Sequence, residues 1–138
     1  MTASGTGYSG TPLAKKLGIK PGQRVALRHR PPGWTIPALP EGVRVGERGS
    51  RDVDVTVAFY GTHGDLAAEA ATLVEQLADR AMLWVAWPRK AAGHQSDIDG
   101  NGLRELFLPR GIVDVKVAQI DEDWSGLKFV RRVENRAV

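Results

Sequence analysis

Met82-Leu83-Trp84-Val85-Ala86-Trp87 is an unbroken apolar run closed by Pro88. A strand with one face in water alternates apolar and polar residues, so a run with no polar position must be covered on both faces, as strands of a parallel sheet are. The residues before it fit that demand. Val53 to Tyr60 is β-branched and aromatic and reads as a central strand. Between the two, Leu66, Ala70, Leu73 and Leu77 recur at helical spacing, Glu69, Glu75 and Gln76 fall on other faces, and Asp65 stands where it can cap the first turn. Strand, helix and strand in that order predict a right-handed parallel crossover.

The flanking segments extend the pattern. Thr11 as cap, Pro12 in the first turn, Leu13, Leu17 and a stop at Gly18 predict a short helix, and after the Pro21-Gly22 turn Arg24 to Arg28 predicts a first strand. Residues 31 to 50 carry four prolines and four glycines and read as loop, with Val43-Arg44-Val45 as a short second strand. Asp97 to Leu108 reads as a further helix, weakened by Gly100 and Gly102 and ended by Pro109 to Gly111. From Val113 the period changes to two: Val113, Val115 and Val117 alternate with Asp114 and Lys116. A turn through Asp123-Trp124-Ser125-Gly126 and a return strand from Leu127 to Val133 complete a predicted hairpin. The expectation is a small Rossmann-like α/β domain: a mixed sheet of parallel strands with flanking helices and a C-terminal antiparallel hairpin.

At 138 residues the chain matches one domain, with 1–9 and 134–138 expected to be flexible. The absence of cysteine excludes disulfides, thiolate metal sites and cysteine nucleophiles. The formal charge of +3 comes from basic and acidic residues interspersed along the chain, so a nucleic-acid partner is not expected. Met1 to Ser9 lacks a basic segment followed by an apolar one, and the longest apolar run, Ala81 to Trp87, is far shorter than the ~20 residues of a spanning helix. No membrane partner is expected, and the cytoplasm is the expected compartment.

Leu17-Gly18-Ile19-Lys20-Pro21-Gly22-Gln23-Arg24-Val25 resembles the approach to the first strand of class I methyltransferase-like domains, which also alternate strands and helices and finish with a hairpin. Those enzymes follow the first strand with an acidic residue and a glycine-rich turn that cradles S-adenosylmethionine. Here the equivalent stretch is Arg28-His29-Arg30-Pro31-Pro32-Gly33-Trp34, with one glycine, two prolines and cations in place of the acid, and Glu47 is the one candidate for a ribose-binding acid. The resemblance therefore implies a fold of that class with a degenerate cradle; S-adenosylmethionine is not expected, and no cofactor is predicted. At finer grain the chain resembles an uncharacterised bacterial domain-of-unknown-function family, number three-zero-five-two in that series. The matching residues are Tyr8 to Gly18, Leu83 to Lys90, Val113 to Val117, Asp121 and Trp124 to Val130. That resemblance implies no activity.

In open parallel sheets ligands gather at the carboxyl ends of the strands. Loops at 28–34, 61–65 and 88–96 should emerge there, carrying all three histidines. The candidate ligand-binding residues are Arg28, His29, Arg30, Trp34, His63, Arg89, Lys90 and His94. If His29, His63 and His94 converged they could hold a metal, but no short-spaced ligand pair supports this and no metal is predicted. The cations with the start of the helix after Asp65 could instead hold phosphate or carboxylate, although the Asp65 charge opposes an anion there. Loop cations and histidines also occur simply because loops meet water. Trp34 and Trp124, both expected in loops, must pack, line a pocket or anchor a partner. Asp121-Glu122-Asp123 in the hairpin turn could take a divalent cation, and Lys128, Arg131, Arg132 and Arg136 read as a basic cluster at the end of the last strand. Ser96 and Ser125 lack a context that activates a hydroxyl. Enzymatic activity is left open, with the balance against it. The leading expectation is a non-catalytic binding or regulatory module for a small anionic ligand. Its alternatives are a small enzyme acting on a phosphorylated or metal-bound substrate through the histidine loops, and a protein-interaction domain able to form a homo-oligomer.

Overall fold

The computed structural model describes residues 11–136. Its elements are α1 (Leu13–Leu17), β1 (Arg24–Arg28), β2 (Arg44–Gly46), β3 (Val55–Phe59), α2 (His63–Gln76), β4 (Met82–Pro88), α3 (Gly100–Phe107), β5 (Ile112–Gln119) and β6 (Trp124–Arg131). The expected flexibility of residues 1–9, and the Tyr8 to Gly10 part of the family resemblance, lie outside the described residues.

The six strands form one mixed sheet in the order β2-β1-β3-β4-β6-β5. β1 runs parallel to β2 and β3, and β3 parallel to β4, whereas β6 is antiparallel to both β4 and β5. The α/β class and the C-terminal hairpin expected from the sequence are present. Strand β4 lies between β3 and β6, and Leu83 through Trp87 are all buried, which is why its apolar run has no polar position.

Two layers cover the sheet. On one face α2 and α3 lay Leu66, Ala70, Leu73, Leu103 and Phe107 against Leu83, Val85, Trp87, Leu127 and Phe129. On the other, α1 and the loop bearing Trp34, Ile36 and Leu39 pack on Val57, Phe59, Trp84 and Ala86. Trp84 and Trp87 therefore serve opposite cores, as their odd separation along a strand requires. Burying the Trp84 indole leaves its N–H in need of a partner, and it donates to the Leu17 carbonyl at 3.0 Å, at the end of α1. Gly18 then stops that helix in the left-handed region at φ 82°.

Several local expectations are corrected. The N-cap of α1 is Pro12, whose carbonyl accepts from the Lys16 N–H at 2.9 Å, so Thr11 stands outside the helix. The cap of α2 is Thr62 rather than Asp65: its hydroxyl accepts from the Asp65 N–H, and Asp65 sits in the first turn, where a negative charge meets the positive end of the helix. Helix α3 begins at Gly100 behind an Asp99 cap, not at Asp97. The hairpin turn is tighter than expected, and Trp124, Ser125 and Gly126 belong to β6. Gly126 is a packing glycine and not a turn glycine: a Cβ there would come within 2.6 Å of Ile120 Cδ1 and 3.1 Å of the Trp84 ring. Past β6 the chain makes a 3₁₀ turn, Val133–Asn135, with Asn135 Nδ2 donating to the Gly111 carbonyl at 3.1 Å.

Candidate functional site

Because β1, β3 and β4 are neighbouring parallel strands, the loops that follow them leave the sheet at one edge. The sequence-predicted site residues lie along that edge, but they divide into separate groups.

The first group gathers on Glu69, in the second turn of α2. Arg28 Nε at 2.9 Å, His29 Nε2 at 2.8 Å and the Tyr60 hydroxyl at 2.7 Å all reach the same oxygen, Glu69 Oε1. Partial burial raises the Glu69 carboxyl, but hydrogen bonds from Tyr60, His29 and Arg28 outweigh it and bring the pKa down to about 2. Burial, joined by the bond to Glu69, pushes the Tyr60 phenol well above its ordinary value. Burial works against the Arg28 charge, yet Glu69 holds its pKa above the usual guanidinium value. His29 meets this cluster from a left-handed backbone conformation, φ 58°, unusual for a residue with a Cβ, and its ring stands edge-on to Tyr60 with centroids 5.4 Å apart. Arg30 turns away to pair with Glu47, the candidate ribose acid, which follows β2. Arg28 and Arg30 are thus neutralised within the fold.

His63 opens α2, and its backbone N–H donates to Asp97 Oδ1 at 2.7 Å, tying the loop after β3 to the loop after β4. His94 lies in the last of the three loops and meets Asp123 at 2.9 Å. The His29 and His94 rings thus bond different carboxylates, and among the described residues no group of three histidine or carboxylate side chains is placed to share a metal ion.

Trp34 does pack, as one of its three expected options. Its ring stacks edge-on against Phe59 at 4.8 Å, and Phe59 does the same with Trp124 at 5.0 Å. Its indole N–H donates to Asp121 Oδ2 at 2.8 Å, while Asp121 Oδ1 accepts from the N–H groups of Asp123 and Trp124. Asp121 is therefore committed to holding the hairpin turn and the loop after β1 together, and the three-carboxylate run is not arranged around a cation.

On the β4 side the edge opens. A broad depression of about 570 Å³ lies between the end of β4, the start of α3 and the β5–β6 hairpin, lined by Trp87, Ile98 and Val117 below and by Arg89 and Lys90 at its rim. Arg89 Nε donates to the Glu122 carbonyl at 2.9 Å, which fixes the side chain without cancelling its charge. Lys90 is exposed, begins a 3₁₀ turn over 90–92, and makes no ion pair among the described residues. Asp99 also borders the depression, its Oδ1 taken by the Gly102 N–H at 2.8 Å. Of the eight candidates, only Arg89 and Lys90 line this space.

Tyr60 and Glu69 organise the edge yet are not among the residues singled out from the sequence, and Asp121, expected as one of three carboxylates able to take a cation, instead bonds Trp34 and the turn. Tyr60 and Glu69 are nine residues apart, on a strand and on a helix, and no short spacing marks their encounter. Searches of the chain against models of known protein families and against curated proteins return no match.

Proposed function

We propose that the protein is a non-catalytic binding module that takes a small anionic ligand at the carboxyl edge of its parallel strands, in the depression beside Arg89 and Lys90. The observation that carries this reading is the union of two cations, neither neutralised by a carboxylate among the described residues, with an apolar floor of Trp87, Ile98 and Val117. That pairing suits an anion borne on an apolar body, a carboxylate or phosphate monoester, whose charge meets Arg89 and Lys90 while its carbon skeleton covers the floor. Titrating isotope-labelled protein with phenyl phosphate and with hexanoate tests it. Amide shifts should cluster at Arg89, Lys90, Gly100 and Val117 and disappear in the Arg89→Gln/Lys90→Gln variant; shifts confined to other parts of the chain would discard the reading.

The finer fold assignment belongs to the same proposal. The hairpin ending, with β6 antiparallel and inserted between β4 and β5, supports a methyltransferase-like Rossmann topology. The cytoplasm is the proposed compartment, a reading that rests on the cysteine-free sequence; no helix among the described residues is long and apolar enough to cross a membrane.

A second reading, protein interaction, draws on edge strand β5, where Val115 is 52% and Val117 65% exposed. Sedimentation over a wide concentration range checks it, since a chain that stays monomeric throughout would not be pairing through that edge with a second copy.

A further inference from the structure

The basic residues that the sequence gathers at the end of β6 are divided between the faces of the sheet, Lys128 lying over Trp84 and Arg131 against α2. Arg131 turns to the α2 side, where its guanidinium donates to the Val74 and Leu77 carbonyls at 2.7 and 2.6 Å and caps that helix, with Asp79 at 3.6 Å. A different cluster, drawn from three elements, forms on the opposite face. In the hairpin Lys116 stands directly across from Lys128. Like charges directly opposite in an antiparallel pair are destabilising, with Cβ atoms only about 5 Å apart.

A bulge creates this opposition. The register pairs Asp114 with Phe129 and Lys116 with Lys128, so Val115 is an extra residue in β5. Without it Lys116 would stand opposite Leu127 and point to the α2–α3 face. The bulge leaves Asp114 on that face, bonded to Arg104 Nε at 2.9 Å, and sends Lys116 to the other. The acid and the base of one strand are thereby separated.

Lys16, at the end of α1, completes the group. Its Nζ donates to the Gln119 carbonyl of β5 at 2.9 Å. Lys128 is held in place as well, with Nζ 5.8 Å above the Trp84 ring and 3.6 Å from Met82 Sδ. Burial first, and then the charge of Lys116, lower the ammonium pKa of both Lys16 and Lys128. Among the described residues, neither Lys116 nor Lys128 has a carboxylate partner. Lysine and a bulge on an edge strand also discourage edge-to-edge pairing. That function needs only the edge strand; it gives no reason for a second lysine opposite on the inner strand β6 or a third on α1.

We propose that Lys16, Lys116 and Lys128 form a second anion site, separate from the Arg89–Lys90 depression, which binds a compact anion of two or more linked phosphate groups. One phosphate bridging Lys116 and Lys128 converts their repulsion into a shared attraction, and a second, linked phosphate reaches toward Lys16. Several charges concentrated within a few ångströms are what a di- or triphosphate supplies and a monocarboxylate does not.

Thermal unfolding of the whole chain with tripolyphosphate, at ionic strength matched by chloride, tests the site. Phosphate salts stabilise proteins generally by exclusion from the surface, so the comparison is between wild type and variants. At about a hundredfold excess over Kd the wild type should gain roughly 10 °C in Tm. Lys128→Gln, on the inner strand and away from the free edge, should lose most of that gain while its own Tm without the anion stays level or rises. Arg89→Gln/Lys90→Gln should keep the full gain. An equal gain in Lys128→Gln and wild type would overturn the assignment. So would a gain lost only in the Arg89→Gln/Lys90→Gln protein, or a wild type that responds to a twenty-nucleotide single strand but not to tripolyphosphate.

Discussion

The two ends of the carboxyl edge use the same residue types to opposite effect. On the β1 side Arg28, His29 and Tyr60 converge on one oxygen of Glu69, and Arg30 is paired with Glu47, so charge is consumed in joining strand to helix. On the β4 side Arg89 is fixed by a carbonyl and Lys90 by nothing charged, and both face a depression with an apolar floor. A cation at a strand end is therefore not in itself a ligand contact. What separates a latch from a binding edge is whether the neighbouring helix presents a carboxylate at that point, as α2 does with Glu69 and α3, opposite Arg89 and Lys90, does only with its capping Asp99.

The contrast can be broken most forcefully at Glu69. Glu69→Ala leaves Arg28 and the buried Tyr60 hydroxyl without their shared acceptor and should cost about 3 kcal/mol in denaturant unfolding. A loss under 1 kcal/mol would mean that the cluster is ornamental to the fold. Acid titration asks the same question without changing the chain. The Glu69 pKa is depressed from 4.5 to about 2, so its stabilisation is complete above pH 4.5 and is lost as pH falls through about 2. Wild type should therefore exceed Glu69→Gln by about 1–2 kcal/mol near pH 5, after allowance for the partial exposure of the site, and the gap should close toward pH 2. A gap independent of pH across that range would assign the effect to packing.

Tyr60→Phe removes one of the three donors and keeps the ring, and a cost of about 1 kcal/mol is expected, together with a rise in the pH at which the Glu69 contribution is lost. The smallest effect belongs to the other end of the edge. Arg89→Gln/Lys90→Gln should change stability by no more than about 0.5 kcal/mol while abolishing the shifts induced by phenyl phosphate. Were that variant to unfold readily, the β4 side would be a latch too and the comparison would fail.

Much of the fold was legible because the signals are local. The apolar run of β4, the helical period from Leu66 to Leu77 and the turns at Pro21-Gly22 and Gly111 each place an element within a few residues of its observed position. The errors arose where a residue type has two uses. Asp65 is a good cap, but Thr62 was better placed by three residues; Gly126 resembles a turn glycine, but the packing of Ile120 against Trp84 requires it inside a strand. Trp124 was expected in the loop for the same reason and instead completes the aromatic stack on Phe59.

The site was legible only as an edge. Parallel order brought the three loops to one end, as the alternation of strands and helices implied. Which cation met which carboxylate was not implied, because Arg28 and Glu69 are 41 residues apart and Trp34 and Asp121 are 87 apart. The bulge at Val115 is a starker case, since a period-two pattern through Val113, Val115 and Val117 gives no sign that Lys116 changes face.

By itself the sequence determined the α/β class, the buried central strand and the closing hairpin, since backbone preference and hydrophobic period act between neighbours in the chain. Only the tertiary structure decided which charges cancel and which stay exposed. Electrostatic pairing falls off over a few ångströms, and distances on that scale between remote residues exist only once the strands have taken their order in the sheet.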